Sequence, residues 1–318
     1  MMNKSKSILC AIFLGLTSAS PVSQAVTPES HLGGCILRQP VNDRPADPYL
    51  LTDVLPTDEY PPFVKKLSAY GLTLVAREDI SDDFMRLVGR TIVEMFPRSP
   101  EMDAAMQAEV LANHHMYGAV IPVPLGRDYS FMETYADDWA NLENRNSVCD
   151  VIMQDVPGQV MEVVEHILHY VSDIGLHYAY PDEWGVNPDS ALVRGMRDAV
   201  DRGYYVISQY SDIDELEVRE RVLVQEFAYW VISTAWNLQE DYGPREAEWQ
   251  VTDRDDLRAR LPEMDALMER TVDRIMVAPS RATLAEIGPT RARPISSLIR
   301  FLRRTLAEIG PDADEESD

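Results

Sequence analysis

Hydrophobic residues recur at helical spacing through most of this chain, and two short apolar runs are typical of strands instead. These runs, residues 71–76 and 117–123, each predict a strand. Between them, Ser81 is a good helix N-cap, and the apolar residues that start at Phe84 recur at i, i+3, i+4, i+8 and i+11. A second helix is predicted over residues 101–113. The pattern therefore predicts a strand–helix–helix–strand unit.

The rest of the chain has mainly helical periodicity. Residues 124–156 are polar and irregular. Four predicted helices follow, over residues 157–177, 191–202, 215–238 and 257–276. The sequence therefore predicts an α+β fold that is mostly helical, with a small sheet packed on one of these helices.

The first part of the chain predicts an export signal and an arm. An apolar run at residues 8–16 follows two lysines, and small residues ending at Ala25 follow the run, which is typical of a secretory signal peptide over residues 1–25. The run is too short to span a bilayer, and no later segment is apolar for long enough to do so. Residues 26–69 are rich in Pro and Asp and predict an extended arm. We therefore expect a secreted or periplasmic protein without a transmembrane segment.

The net charge limits the possible binding partners, and the cysteine content bears on the cellular compartment. The formal net charge of −24 argues against binding to nucleic acid or to anionic membranes. Of the three cysteines, Cys10 leaves with the predicted signal peptide. In an oxidising compartment the remaining pair, Cys35 and Cys149, is expected to form a disulfide. That bond would tie the arm to the region just before the helix at 157–177.

The C-terminal segment, residues 277–318, differs from the rest. The sequence Thr-Leu-Ala-Glu-Ile-Gly-Pro occurs twice, at 283–289 and at 305–311. Between the copies, an apolar stripe flanked by arginines predicts a helix that is either docked on the acidic body or bound at a membrane surface. The stripe consists of Ile295, Leu298, Ile299 and Leu302. Residues 312–318 predict an acidic, disordered end.

Candidate chemistry concentrates on the predicted helix at 157–177. Five side chains that can bind a metal or move a proton fall within about 120° of one another on this helix, at about 100° per residue. They are Glu165, His166, His169, Asp173 and His177. The opposite side is apolar. The helix therefore has a core face and a hydrophilic face, which is either simply solvated or functional.

The spacing on this helix suits a metal ion. Glu165 and His169 are i, i+4 neighbours, and such a pair can hold one zinc ion. His166 lies beside them and can act as a general base, because its usual pKa is near neutrality. Alternatively, His166 and His169 bind the ion and Glu165 is an outer partner. Asp173 or His177 can add a ligand or a hydrogen bond to a ligand.

A third ligand is expected from a distant helix. Gln225 and Glu226 interrupt an apolar run in the helix predicted at 215–238, where a polar side chain needs a partner, and either can be the ligand. Tyr210, shortly before that helix, can donate its hydroxyl to a developing oxyanion. Each of these residues can instead be an ordinary surface or packing residue.

The order of these parts resembles the catalytic domain of the anthrax lethal factor-like zinc metallopeptidases. In that family a strand, helices and a second strand precede a His-Glu-Phe-x-His helix. A tyrosine and then a glutamate ligand follow, the glutamate on a later helix. Residues 70–276 cover this order here, with residues 165–169 at the zinc motif and Tyr210 at the tyrosine. Gln225 stands where the third ligand belongs, and Glu226 is beside it.

This chain differs from the family at the metal-binding and catalytic positions of the motif. Glu165 replaces the first zinc histidine, and His166 replaces the base glutamate. The resemblance implies a zincin-like domain over residues 70–276 and two possible functions. One is an exported zinc-dependent hydrolase of peptide or protein substrates, in which His166 or a glutamate activates water. The other is an inactive relative that binds a peptide, a partner or a metal. A third possibility is a structural secreted domain with a solvated polar face.

Overall fold

A computed structural model describes residues 31–243 and 247–288 of the chain. A separate antiparallel pair, β1 (His31–Leu32) and β2 (Ile36–Leu37), lies near the start of this region. The main sheet has four strands, β3 (Leu55–Pro56), β4 (Lys65–Ala69), β5 (Leu72–Ala76) and β6 (Val120–Val123). They lie in the order β3-β4-β5-β6, in which β5 and β6 are parallel and the other neighbours are antiparallel.

A two-residue turn joins β4 to β5. Both of its residues have positive φ, 51° at Tyr70 and 84° at Gly71. A Cβ atom on Gly71 would lie 2.4 Å from the carbonyl oxygen of Leu111. Glycine therefore permits both the left-handed backbone and the close approach of the neighbouring helix. The turn sets the register in which Leu67 pairs with Leu74.

Two helices, α1 (Asp82–Met95) and α2 (Ala104–Met116), connect β5 to β6. The Ser81 hydroxyl accepts a hydrogen bond from the amide of Phe84, so Ser81 is the N-cap of α1. Because parallel strands require a crossover connection, this arrangement follows from the parallel pairing of β5 with β6. The predicted strand–helix–helix–strand unit is confirmed.

Helices form most of the remaining chain, which confirms the predicted α+β, mostly helical class. One of the longer helices, α5 (Gln159–Tyr170), continues through a π-helical turn at Val171–Leu176 into α6 (His177–Ala179). The helices are α3 (Ser130–Thr134), α4 (Ala136–Arg145), α5 (Gln159–Tyr170), α6 (His177–Ala179), α7 (Pro181–Trp184), α8 (Ala191–Asp201), α9 (Leu216–Ala235), α10 (Leu238–Asp241), α11 (Arg254–Arg260), α12 (Pro262–Arg270) and α13 (Arg281–Ile287), with 3-10 turns at Ser208–Tyr210 and Val272–Arg274.

The main core lies between the sheet and the long helices. Leu74 and Ile121 of the sheet are completely buried in it. Helices α5 and α9 pack against each other, and both contribute completely buried residues to the same core. These residues are Val163, Val164, Ile167 and Leu168 of α5 and Phe227, Ala228, Val231 and Ile232 of α9. This packing fixes the two helices side by side and so positions the polar side chains that they carry.

Two regions predicted to be irregular contain regular structure. Strand β4 lies within the predicted arm at 26–69, and α3 and α4 lie within residues 124–156. These helices close a second core with the sheet, formed by Phe63, Val75, Val120, Phe131, Trp139, Leu142 and Val148. The sequence pattern missed them because the elements are short and largely polar: α4 buries only Trp139 and Leu142.

The single helix predicted over residues 257–276 is wrong. Helix α11 ends at Arg260, and Pro262 begins α12 as a separate helix. Proline lacks a backbone N–H and disfavours helical backbone at the residue before it, and Leu261 has φ −129° and ψ 63°. The chain therefore breaks at Leu261, although the apolar periodicity continues across it.

The ends of the chain are only partly described. Helix α13 belongs to the predicted C-terminal segment and buries Leu284 and Ile287. The predicted signal peptide, the stripe from Ile295 to Leu302 and the acidic end all lie outside the described residues. Within residues 31–243 and 247–288, the helices are all too short or too polar to cross a membrane.

Candidate metal site

The packing of α5 against α9 brings three predicted metal ligands together. Glu165 and His169 lie one turn apart on α5, and Glu226 projects from α9. One imidazole nitrogen and one oxygen from each carboxylate lie within 4.8 Å of one another. His169 is completely buried, while Glu165 and Glu226 are partly buried. One imidazole and two carboxylates form a donor set that suits a divalent cation.

The two ring nitrogens of His169 have different surroundings. Nδ1 lies 2.9 Å from Oδ2 of Asp150, and Nε2 lies 3.8 Å from Oε2 of Glu226. Nε2 is buried and makes no hydrogen bond within the described part of the chain. Burial lowers the pKa of His169 to about 4, so the ring is neutral near pH 7. A neutral imidazole that donates from Nδ1 offers the lone pair of Nε2 to an ion.

Asp150, which the sequence analysis did not identify, orients His169. Burial alone would raise the pKa of Asp150, but His166 and His169 outweigh burial and lower it. The backbone at this point is held by Tyr170, whose hydroxyl accepts hydrogen bonds from the amides of Cys149 at 3.0 Å and Asp150 at 3.2 Å. A signal was available, because Asp150 interrupts the apolar run Val-Cys-Asp-Val-Ile-Met, as Gln225 and Glu226 interrupt theirs.

Gln225 and Asp173 belong to a buried network behind Asp150. The Gln225 amide lies 3.5 Å from Asp150 Oδ2 and its oxygen accepts a hydrogen bond from Arg221. Arg221 also pairs with Asp173 at 2.9 Å and donates to the carbonyl oxygen of Gly33 at 2.8 Å. Of the two alternatives for a third ligand, Glu226 therefore joins Glu165 and His169, and Gln225 supports Asp150.

His166 lies on the Asp150 side of the helix. Its Nδ1 is 3.0 Å from Glu162 Oε1 and its Nε2 is 3.6 Å from Asp150 Oδ2. Burial favours the neutral ring, but Asp150, Glu162 and Glu165 outweigh it and raise the pKa of His166 well above 6.5. An imidazole that is already protonated cannot accept a proton, so His166 in this state is an acid rather than the predicted base.

Tyr210, the predicted oxyanion donor, is buried beside Glu248. Its hydroxyl donates to Glu248 Oε1 at 2.5 Å, and Nε1 of Trp230 donates to the same oxygen at 3.1 Å. Burial raises the pKa of Tyr210 well above 10, and the nearby charge of Glu226 adds to this effect. The Tyr210–Glu248 pair is therefore within electrostatic range of Glu226. Glu248 has no distinguishing signal in the sequence.

His177 is separated from the cluster by the π-helical turn. Its Nδ1 accepts a hydrogen bond from the Val186 amide at 3.3 Å. The turn has i→i+5 hydrogen bonding, which changes the rotation per residue relative to the α-helix assumed in the sequence analysis. The predicted alignment of His177 with Glu165 and His169 is therefore lost.

The predicted disulfide between Cys35 and Cys149 is confirmed. Both cysteines are buried, their Cα atoms are 4.7 Å apart, and the bond links positions 114 residues apart in the chain. Cys149 immediately precedes Asp150, so the bond anchors the arm directly beside the residue that orients His169.

Comparison of the chain with known protein families, curated proteins and solved structures finds no match. The resemblance to the lethal factor-like metallopeptidases stays a prediction from the sequence, and the functional argument rests on the geometry of the site.

Proposed function

We propose that this protein is an exported metal-dependent hydrolase of the zincin type that cleaves peptide bonds, with zinc as the candidate ion. Glu165, His169 and Glu226 would hold the ion. The observation that carries the proposal is the state of His169: Nε2 is buried without a hydrogen bond, faces Glu226, and is directed there by the bond from Nδ1 to Asp150. The signal-like N-terminus and the buried disulfide support export.

The surrounding residues suit such a site. A bound divalent ion would supply Lewis-acid chemistry, by polarising a carbonyl and acidifying water. The neutral ring of His169 needs no deprotonation before it acts as a ligand. Glu165 and Glu226 place two partly buried carboxyl groups beside this ring, and a divalent cation bound between them would offset the repulsion between two like charges.

We assign proton transfer in this proposal to Glu248 rather than to His166. His166 is held in the protonated state by Asp150 and Glu162. Glu248 is a buried carboxylate that accepts hydrogen bonds from Tyr210 and Trp230, and these bonds fix its position. The Tyr210 hydroxyl donates to Oε1 of Glu248 at 2.5 Å. Tyr210 would then keep its proton and offer it to the developing negative charge on the substrate. Glu248→Gln should abolish cleavage and leave metal content unchanged.

A second candidate function is metal or peptide binding without catalysis. The burial of the site favours it, because His169 is 0% exposed and only 16% of the Glu226 side chain is exposed. A peptide can reach these ligands only if the surrounding side chains move. An inactive relative would retain the ion and lack turnover.

Metal analysis tests the proposed ligands. Purified protein should carry a near-stoichiometric divalent metal, and His169→Ala should lose it. His115→Ala is the matched control, because His115 is an exposed histidine outside the cluster. A protein without bound metal, in which His169→Ala changes nothing, would leave only the structural interpretation.

Cleavage of a peptide library, with and without a chelator, separates the two candidate functions. A hydrolase should cleave some peptides, lose this activity with the chelator and regain it when metal is added back. Chelator-insensitive cleavage, or metal binding without any cleavage, would eliminate the metallopeptidase.

A further inference from the structure

The repeated heptapeptide places two copies of one docking sequence in a single chain. The first copy, residues 283–289, overlaps α13, and the second copy, residues 305–311, lies outside the described residues. An arginine also stands two residues before each copy, Arg281 and Arg303. The contacts made by the first copy therefore show what the second copy is equipped to do.

The first copy docks in a groove between α1 and α5. Leu284 is completely buried and Ile287 is 7% exposed. The hydroxyl of Thr283 donates to Glu94 of α1 at 2.6 Å. Two ion pairs flank this contact, Glu286 with Arg90 of α1 and Arg281 with Asp241 of α10. Docking thus uses two apolar anchors, one hydroxyl and two charges.

The second copy carries every one of these side chains. The equivalents are Arg303, Thr305, Leu306, Glu308 and Ile309. One feature differs: Ser280, the N-cap of α13, is replaced by Leu302. Loss of a serine N-cap lowers the equilibrium constant for helix formation by about fivefold. The second copy should therefore fit the same groove with somewhat lower affinity.

We propose that residues 305–311 are an alternative occupant of the α1–α5 groove in the same molecule. Val277 is anchored to α1 through a hydrogen bond from its amide to the carbonyl oxygen of Met95 at 3.0 Å. Thr283 follows Val277 by six positions, and Thr305 follows it by 28 positions. Closing the longer loop lowers the equilibrium constant for docking of the second copy by about a further tenfold. Together with the loss of the N-cap, this favours docking of the first copy over the second by about 50-fold. The second copy therefore occupies the groove only when the first copy leaves it.

The groove matters because it supports the helix that carries the candidate metal site. A Cβ atom on Gly288 would lie 3.3 Å from Cβ of Gln159, so the end of α13 abuts the first turn of α5. A cleft of about 660 Å³ beside α13, lined by Phe84, Leu87 and Arg90 of α1, leaves space next to the groove for an incoming segment. Exchange between the copies would keep α5 covered when one copy is displaced or cut.

Four full-length variants test the exchange by urea denaturation. Leu306→Asp with Ile309→Asp should behave as the natural chain. Leu284→Asp with Ile287→Asp should raise the unfolding equilibrium constant by about 50-fold, because the second copy replaces the first. All four substitutions together should raise it at least tenfold further. Ile295→Asp with Leu298→Asp controls for added charge outside the copies.

The proposal would be overturned if the variant with both substitutions in the first copy and the variant with all four substitutions were destabilised equally. The second copy would then contribute nothing to stability. A cross-link gives a readout that needs no destabilised variant. Glu94→Cys with Thr283→Cys should oxidise readily, and Glu94→Cys with Thr305→Cys should form the same bond more slowly within one chain. Absence of the second bond, or its appearance only between two chains, contradicts docking within the molecule.

Discussion

The carboxylate of Asp150 lies 2.9 Å from Nδ1 of His169, and this contact decides which nitrogen of the imidazole faces Glu226. An ionised carboxylate can only accept hydrogen bonds, so Nδ1 carries the proton and Nε2 has the lone pair. The pKa of Asp150 is lowered by His166 and His169 in spite of its burial, which keeps the carboxylate ionised. The candidate metal site therefore depends on a residue that would not itself touch the ion.

Removal of this carboxylate should weaken metal binding. We expect Asp150→Ala to lower the metal affinity by about 10- to 100-fold, the usual effect of losing a partner of a metal-bound histidine. Asp150→Asn should cost less, since its amide oxygen can still accept from Nδ1. Calorimetric titration with zinc measures both, and Asp137→Ala, at an exposed position on α4, is the control. Unchanged affinity in a folded Asp150→Ala protein would remove Asp150 from the site.

The disulfide should stabilise both the fold and the site. Replacing Cys35 and Cys149 together by alanine should lower the free energy of unfolding by about 4 kcal/mol, because the bond closes a loop between positions 114 residues apart. Metal affinity should fall as well, since Cys149 adjoins Asp150. Urea denaturation and metal titration are the measurements. Two alkylatable thiols in the native protein, or an unchanged urea midpoint, would contradict the expectation.

His114 should make the protein sensitive to mild acid. Burial lowers the pKa of His114 to about 4, whereas the unfolded chain binds the proton near pH 6.5. The folded state thus binds fewer protons between these values, so stability is complete above about pH 6.5 and decreases as the pH falls towards 4. The loss from this one group is about 3 kcal/mol. Urea midpoints from pH 7.5 to 4.5 should fall less steeply for His114→Gln; equal slopes would disprove this assignment.

Glu143 should have the opposite effect. Burial raises its pKa from 4.5 to about 8, so the folded state retains a proton that the unfolded chain releases. Stability from this group is complete below about pH 4.5 and is lost as the pH rises through 8. Glu143→Gln resembles the protonated form and should therefore be more stable than the natural chain at pH 8, with a smaller difference at pH 5. Thermal melts measure this, with exposed Glu133→Gln as the control; a constant difference at both pH values would argue against it.

Features that depend only on local spacing were predictable from the amino-acid sequence. The apolar periodicity after Ser81 and the cap that precedes it predicted α1. The i, i+4 spacing of Glu165 and His169 placed two candidate ligands on one face of α5. The two cysteines that remain after the predicted signal peptide predicted the disulfide. Each of these predictions needs only the geometry of one helix or the chemistry of one residue type.

The groups from distant segments that meet these residues depend on how the helices and strands pack. Gln225 and Glu226 are adjacent on α9, about 100° apart, and only the packing of α9 on α5 turned Glu226 towards His169 and Gln225 towards Asp150. The π-helical turn removed His177 from the row, and the fold of residues 147–154 along β6 brought in Asp150. Local periodicity fixes the face of a helix on which a side chain lies. What stands opposite that face depends on the packing of segments far apart in the chain.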